Sequence, residues 1–231
     1  MDQNRNFNRT LSKALALTLL MALATTVRAG DGDWQQWSQI SYLQKLDYSL
    51  ETSLRFEPRL DDDFSRFYYY ELEPMLNWRY SPRWDFAVSY ERDEFLEQRT
   101  EDEPETKIDN LATLGATLKI PLKDWKISNL FRAEWVVPQT GDEDWSTNYR
   151  NRTEVKTTWR WGSKELEPYL FEEWFYNFQE GEFIQNRAGV GIGVPIVEHW
   201  MAKVYFMRFD ERTMNGWEWH PVLGIQVDAQ F

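Results

Sequence analysis

Residues 222–231 read VLGIQVDAQF, and their order decides the fold. Leu223, Ile225, Val227 and Ala229 are apolar, whereas Gly224, Gln226, Asp228 and Gln230 are small or polar. A period of two puts the two sets on opposite faces of an extended strand. The stretch ends on an aromatic residue, Phe231, beyond the last apolar position. Such a strand needs an apolar surrounding on one side and a polar one on the other.

The same period recurs along most of the chain. It carries Tyr48, Leu50, Leu54 and Phe56, then Leu72, Leu76, Trp78 and Tyr80, then Trp84, Phe86, Val88 and Tyr90. It returns at Leu114–Leu122, Trp125–Trp135, Ala188–Val194 and Trp200–Phe206. Two stretches are less regular: WSQISY near the start, and YLFEEWFYNF, where adjacent Glu172 and Glu173 break the phase. About eleven strands are counted. Short connections fall near Ser81–Arg83, Lys123–Asp124 and Val197–His199. Longer polar ones, several of them acidic, fall at Pro58–Ser65, Gln98–Thr106 and Pro138–Trp145. The expected fold is all-β: a closed antiparallel transmembrane β-barrel of about 12 strands (10–12), with short periplasmic turns and longer acidic extracellular loops. Eleven strands leave the two ends of the barrel segment on opposite sides. Single-chain bacterial barrels usually have even numbers, so twelve is favoured.

A soluble sandwich also alternates, with its apolar face inward. Aromatic placement separates the two. Tyr48, Tyr80, Trp84, Trp125, Trp161, Trp200 and Phe231 lie beside the short turns. Phe56, Tyr70, Tyr90, Trp135, Tyr149, Phe206 and Trp219 lie at the other strand ends, with mostly aliphatic residues between. Two aromatic rings around an aliphatic belt match the two interfaces of a bilayer. Ten residues from Tyr70 to Tyr80, at ~3.3 Å each and ~45° of tilt, rise roughly 23 Å, near the ~25 Å apolar band of such barrels.

The first residues form a separate unit. Arg5, Arg9 and Lys13 precede the short apolar run ALALTLLMAL, and Val27 and Ala29 place small residues before Gly30. This order reads as a cleaved signal peptide, residues 1–29, followed by the barrel, residues 30–231. The whole chain carries a net charge of -12, and losing its basic leader makes it more acidic still. Nucleic-acid partners, which need a basic surface, are thereby disfavoured. The chain has no cysteine, so thiolate chemistry is excluded.

Function is expected in the lumen. The polar phase of the second to fourth strands forms an acidic wall of Glu51, Glu57, Glu71, Glu73, Asp85 and Glu91. That of the sixth and seventh forms a basic wall of Lys126, Arg132, Arg150, Arg152, Lys156 and Arg160. In a ring of twelve the walls are expected roughly opposite each other. Filled with water, they would order and filter small polar solutes, as charged rings do in channels. Interlocked through Arg–carboxylate pairs, they would close the barrel. Gly189, Gly191 and Gly193 share one lumen phase and leave either a groove without side chains or a tightly curved sheet.

Catalysis has thin support. The chain holds two histidines. His199 reads as a solvated turn residue, and His220 falls on the lumen phase near the outer rim without a serine motif beside it. No catalytic residue, metal or cofactor is expected. Acidic loops at the outer rim are expected to be solvated.

The stretches ISNLFRAEW (127–135), YRNRTEVK (149–156), EPYLFEEWFYNF (167–178) and QNRAGVGIGV (185–194), followed by the closing strand, carry a resemblance. In this order the chain resembles an uncharacterised family of bacterial outer-membrane β-barrel proteins, domain of unknown function 2490, over most of residues 34–231. The resemblance implies a barrel fold and a Gram-negative outer-membrane location, and it implies no activity. The acidic loops depart from the family's pattern. The acidic-sugar porins are a looser likeness, and their strongly basic lumen is not reproduced. The expectation is a narrow porin or binding channel for small polar solutes. A structural barrel with a salt-bridged, closed lumen is the alternative, and a lipid- or lipopolysaccharide-modifying enzyme ranks third. Expected partners are outer-membrane lipid, lipopolysaccharide and the barrel-assembly machinery.

Overall fold

The computed structural model describes residues 34–100, 103–140, 144–162 and 164–231. The expected leader, residues 1–29, lies outside them. The strands are β1 (Gln35–Lys45), β2 (Leu50–Asp61), β3 (Arg66–Arg79), β4 (Trp84–Thr100), β5 (Glu103–Pro121) and β6 (Trp125–Pro138). They continue as β7 (Ser146–Thr157), β8 (Trp159–Trp161), β9 (Lys164–Asn177), β10 (Glu182–Val197), β11 (Trp200–Thr213) and β12 (Gly216–Gln230). Each pairs with its chain neighbour except at β8, a short strand that follows β7 after a break at Thr158 and pairs only with β9.

Eleven strands therefore close the ring, and the twelfth is a small extra. Hairpins reverse direction at every step, so an odd ring must close on two strands that run the same way. β1 and β12 do so, in parallel register from Gln35–Val222 to Leu43–Gln230. The favoured even number of crossings is corrected by this seam. Phe231 helps fasten it: Lys45 donates its N–H to the Phe231 carbonyl at 2.8 Å, and Phe231 donates to that of Leu43 at 2.9 Å. Its ring stacks on Tyr42 and on His199, an exposed turn residue with positive φ.

Two of the acidic stretches expected as loops, Pro58–Ser65 and Gln98–Thr106, are partly strand, while 101–102 and, in the third, 141–143 lie outside the described residues. β4 and β5 continue their ladder out to Gln98–Pro104, and β2 reaches Asp61 before a left-handed turn through Asp62, Asp63 and Phe64. Pairing gives backbone groups in these polar segments partners that an open loop does not. At the opposite end Asp47 fixes the β1–β2 turn by accepting the N–H groups of Ser49 and Leu50 at 2.6 and 2.7 Å. These bonds hold its carboxyl below the usual carboxylate range.

The barrel is polar inside and apolar outside. Ile40, Leu54, Leu76, Val88, Leu114, Val204 and Ile225 are exposed, whereas Glu57, Glu71, Glu73, Glu91, Arg132, Glu134 and Glu173 are buried. Soluble domains distribute these residue types the other way round. Exposed aromatics ring both ends: Tyr48, Tyr80, Trp161 and Phe231 near the short turns, and Phe56, Tyr90 and Trp135 near the long hairpins. One outward patch is polar. Asn129, Asn151 and Thr153 bond one another across β6 and β7, with Glu172 beside Thr153 on β9.

The lumen divides into two sectors. Ionic side chains from β2 to β7, joined by Glu173 of β9 and Arg187 of β10, fill one. Trp37, Phe171, Met207, Phe209 and Val222, with Tyr169 and Tyr205 against them, fill the other. Glycines face these rings across the strands: Gly189 pairs with Phe171, Gly191 with Tyr169, and Gly224 with Tyr205. A Cβ at Gly189 would lie 2.7 Å from both Met207 and Phe171, and one at Gly224 would fall within the Tyr205 ring. At Gly189 and Gly191 the glycine stripe is thus a seat for aromatic rings and not an open groove, while Gly193 faces Met201 and Glu167. Gly224→Ala is expected to cost about 1–3 kcal/mol, the usual range for overpacking. The urea midpoint of the folded chain reads this out, and an unchanged midpoint would show that Tyr205 is free to swing aside.

Candidate functional site

Cross-strand register sets up a charge problem in the ionic sector. Glu57, Glu71, Asp93 and Asp109 are directly opposed along one row from β2 to β5, and Arg132 opposes Arg150 between β6 and β7. Like charges so placed repel. The structure answers by interdigitation. Arg55 of β2 pairs with Glu71, and its Nη2 lies 2.8 Å from Glu73 and 3.6 Å from Glu91. Arg132 of β6 reaches back past β5 to Glu91, lies 3.1 Å from Glu73, and lies 3.1 Å from Glu134 on its own strand. That reach exists because β5 offers only Thr113 and Gly115 to the lumen there. Ser89 adds a hydrogen bond to Glu73 at 2.6 Å.

A second knot centres on Glu173 of β9, whose side chain is 0 % exposed. It accepts from Arg150 Nε at 2.6 Å and lies 3.6 Å from Arg187 and 3.8 Å from Arg152. Aromatic faces cover several of these guanidinium groups. Arg59 stands 3.7 Å over Trp37 and 4.0 Å over Tyr69, Arg152 stands 4.0 Å over Phe171, and Arg187 stands 4.5 Å over Phe175. Cation–π contact strengthens when the cation is withdrawn from water. Together the two knots form an ion-pair layer across the middle of the lumen, and the aromatic sector occupies the remainder of that level.

The acidic and basic walls read from the sequence are not opposite each other. They flank β5 and meet over it. Glu57, Glu71, Glu73, Glu91, Arg132, Arg150 and Arg152 join the layer or its edge. The others lie toward the short turns. Glu51 is 3.9 Å from Arg79, Asp85 pairs with Lys119, and Lys156 is 3.8 Å from Glu167. Lys126 is exposed opposite Lys156. Arg160, 79 % exposed, pairs with Glu165 on the short β8–β9 hairpin and stands outside the lumen. His220 Nε2 lies 3.2 Å from Glu211.

Above the layer, at the long-hairpin end, a cavity of about 260 Å³ remains. The layer forms its floor through Glu71, Glu91, Glu134 and Arg150, while Arg59, Asp93, Asp109 and Arg187 stand around it. A smaller cavity of about 190 Å³ opens among Lys45, Asp47, Glu51 and Arg79 at the short-turn end. Carboxylate oxygens of Glu71, Glu91 and Asp93 come within 4.8 Å of one another, close enough to share a hard cation. Two of the three are already engaged by Arg55 and Arg132.

Sequence reasoning missed four charged residues of this site, the first being Asp109, which precedes the alternating stretch read as the fifth strand. Arg59 fell in a stretch read as a loop, Glu173 stood beside Glu172 with no clear phase, and Arg187 lay next to the glycine stripe. The signal for Arg187 was present: it shares the parity of Gly189, Gly191 and Gly193.

No match was found among curated proteins or among solved structures. A family model described as protein of unknown function (DUF2490) matches residues 34–220, nearly the whole ring of strands. The chain belongs to that family.

Proposed function

We propose that this is an outer-membrane β-barrel whose lumen is closed at mid-height and whose upper cavity binds a small polar solute. The inverted polarity carries the reading: an exposed apolar belt needs hydrocarbon around it, and only lipid supplies that along a whole barrel. Lipid and lipopolysaccharide are then its surroundings, the barrel-assembly machinery inserts it, and the aromatic rings mark the two interfaces. The short turns face the periplasm, so the upper cavity faces outward. Buried Arg–carboxylate pairs and packed rings fill the level that a pore would leave open, which favours binding over passive permeation. The same layer supports a second reading, a structural barrel of the envelope. The reading includes no catalytic step.

Two measurements test it. The full chain, expressed in a Gram-negative host, should co-fractionate with lipopolysaccharide and resist extraction by urea and by alkaline carbonate. Release by either wash counts against the membrane reading. In planar bilayers the folded chain should give no discrete conductance, whereas Glu73→Ala combined with Arg132→Ala should open a pathway for ions. Steady openings of the unmodified chain would overturn the closed lumen and restore the porin.

A further inference from the structure

The upper cavity carries two buried polar atoms of opposite character that lack hydrogen-bond partners: Asp93 Oδ1, an acceptor, and Arg187 Nε, a donor. They stand on walls as far apart as an eleven-strand ring allows. From β4 to β10 the ring passes four strands one way and five the other. Around Asp93 the wall is acidic, because Glu71 and Asp109 are its direct neighbours on β3 and β5. Arg187 stands on the other wall, packed against Trp37, Phe175 and Phe209, and Arg150 lines the cavity from β7 on the same side. Leaving a buried polar atom with an unmade hydrogen bond is costly, so Asp93 Oδ1 marks a place for a donor group of a ligand and Arg187 Nε a place for an acceptor.

We infer that the cavity takes an amphoteric solute, an α-amino acid or a very short peptide, with its ammonium group on the Glu71–Asp93–Asp109 wall and its carboxylate on Arg187. Size agrees. About 260 Å³ lies just below the range of drug-sized ligand pockets, which suits a small metabolite. Charge agrees as well. A purely anionic solute brings no donor to Asp93 Oδ1, and a purely cationic one leaves Arg187 Nε unanswered. The aromatic rings hold the Arg187 guanidinium in place before the ligand arrives, which lowers the ordering cost of binding. The inference rests on the reading of this cavity as a solute site and adds the chemical class of the solute.

The test is calorimetric titration of the full chain, folded in detergent micelles. The probes are glycine, L-glutamine and glycylglycine, the blocked analogues N-acetyl-L-glutamine and L-glutaminamide, and calcium chloride alone. At least one free zwitterion should bind, and both blocked forms of glutamine should bind about tenfold more weakly or not at all. Asp93→Asn should erase the preference for a free ammonium group. No ion pair of Asp93 is found among the described residues, so this variant should keep the compact band that folded barrels show on unheated gels. A compact band with the preference intact overturns the inference. Equal binding of a blocked form also overturns it, and so does calcium binding that depends on Asp93 while no zwitterion binds. In those last two cases the cavity still binds a solute and the broader reading stands. Heat from no probe, calcium included, overturns both the inference and the solute site, and leaves the closed barrel.

Discussion

Leu114→Arg is expected to destabilise the protein by about 2–4 kcal/mol in phospholipid vesicles, the cost of an arginine on the lipid face near the bilayer midplane. Leu114 is 55 % exposed, on the outward phase of β5 opposite Val88 and Ala133. It lies inside the belt bounded by Trp84 and Tyr90 on the neighbouring strand, four residues from the level of the first and two from that of the second. In water, an exposed leucine replaced by arginine changes stability by within about ±0.5 kcal/mol. The two surroundings of one face thus give results that differ several-fold. Tyr48→Arg is the matched control. Tyr48 is 92 % exposed at the short-turn rim, where the same substitution in a membrane costs only about 0–1 kcal/mol. Urea titration of the vesicle-bound chain measures both variants. A Leu114→Arg midpoint equal to that of the parent would sink the lipid-facing belt and, with it, the outer-membrane reading.

How much of this was legible in the sequence follows from what a period of two can encode. Outward residues such as Val88, Leu114, Val204 and Ile225 were readable because hydrocarbon accepts only one kind of side chain, so the pattern on that face repeats. The lumen face obeys no such rule. Its residues need only satisfy one another, and partners come from strands far apart in the chain, as Arg132 does with Glu73 and Glu91. Sequence order listed the charges but could not show that the walls meet over Thr113 and Gly115. The aromatic sector was hidden for a related reason: β11 carries Tyr205, Met207 and Phe209 inward and Val204 and Phe206 outward, so alternation fades where both faces are apolar. Adjacent Glu172 and Glu173 were ambiguous until register placed Glu173 among three arginines and left Glu172 outside beside Thr153. The parallel seam lay beyond pattern reading altogether, since it depends on whether the strand count is odd, and one strand too many or too few reverses the answer.

Glu173→Gln should have the largest effect inside the barrel, about 3–5 kcal/mol, the usual cost of removing one partner from a buried ion pair. The substitution keeps the volume and removes the charge that three guanidinium groups share. Arg150 retains Glu134 at 3.7 Å, and Arg152 retains Glu154 at 3.4 Å. Among the described residues Arg187 has ion-pair contact with Glu173 alone, so it bears most of the loss. Arg187→Met, which fits among Trp37, Phe175 and Phe209, removes that uncompensated charge. Added to Glu173→Gln it should recover part of the stability, and the double-mutant cycle should show coupling of about 0.5–3 kcal/mol, as neighbouring residues do. Denaturant midpoints of the four chains give the cycle directly. A closed lumen requires the large single-mutant cost, because a guanidinium deprived of its partner can be re-solvated only where water already stands. A loss below about 1 kcal/mol for Glu173→Gln, the level of a surface pair, would mean that water reaches Glu173 and that the ion-pair layer does not seal the barrel.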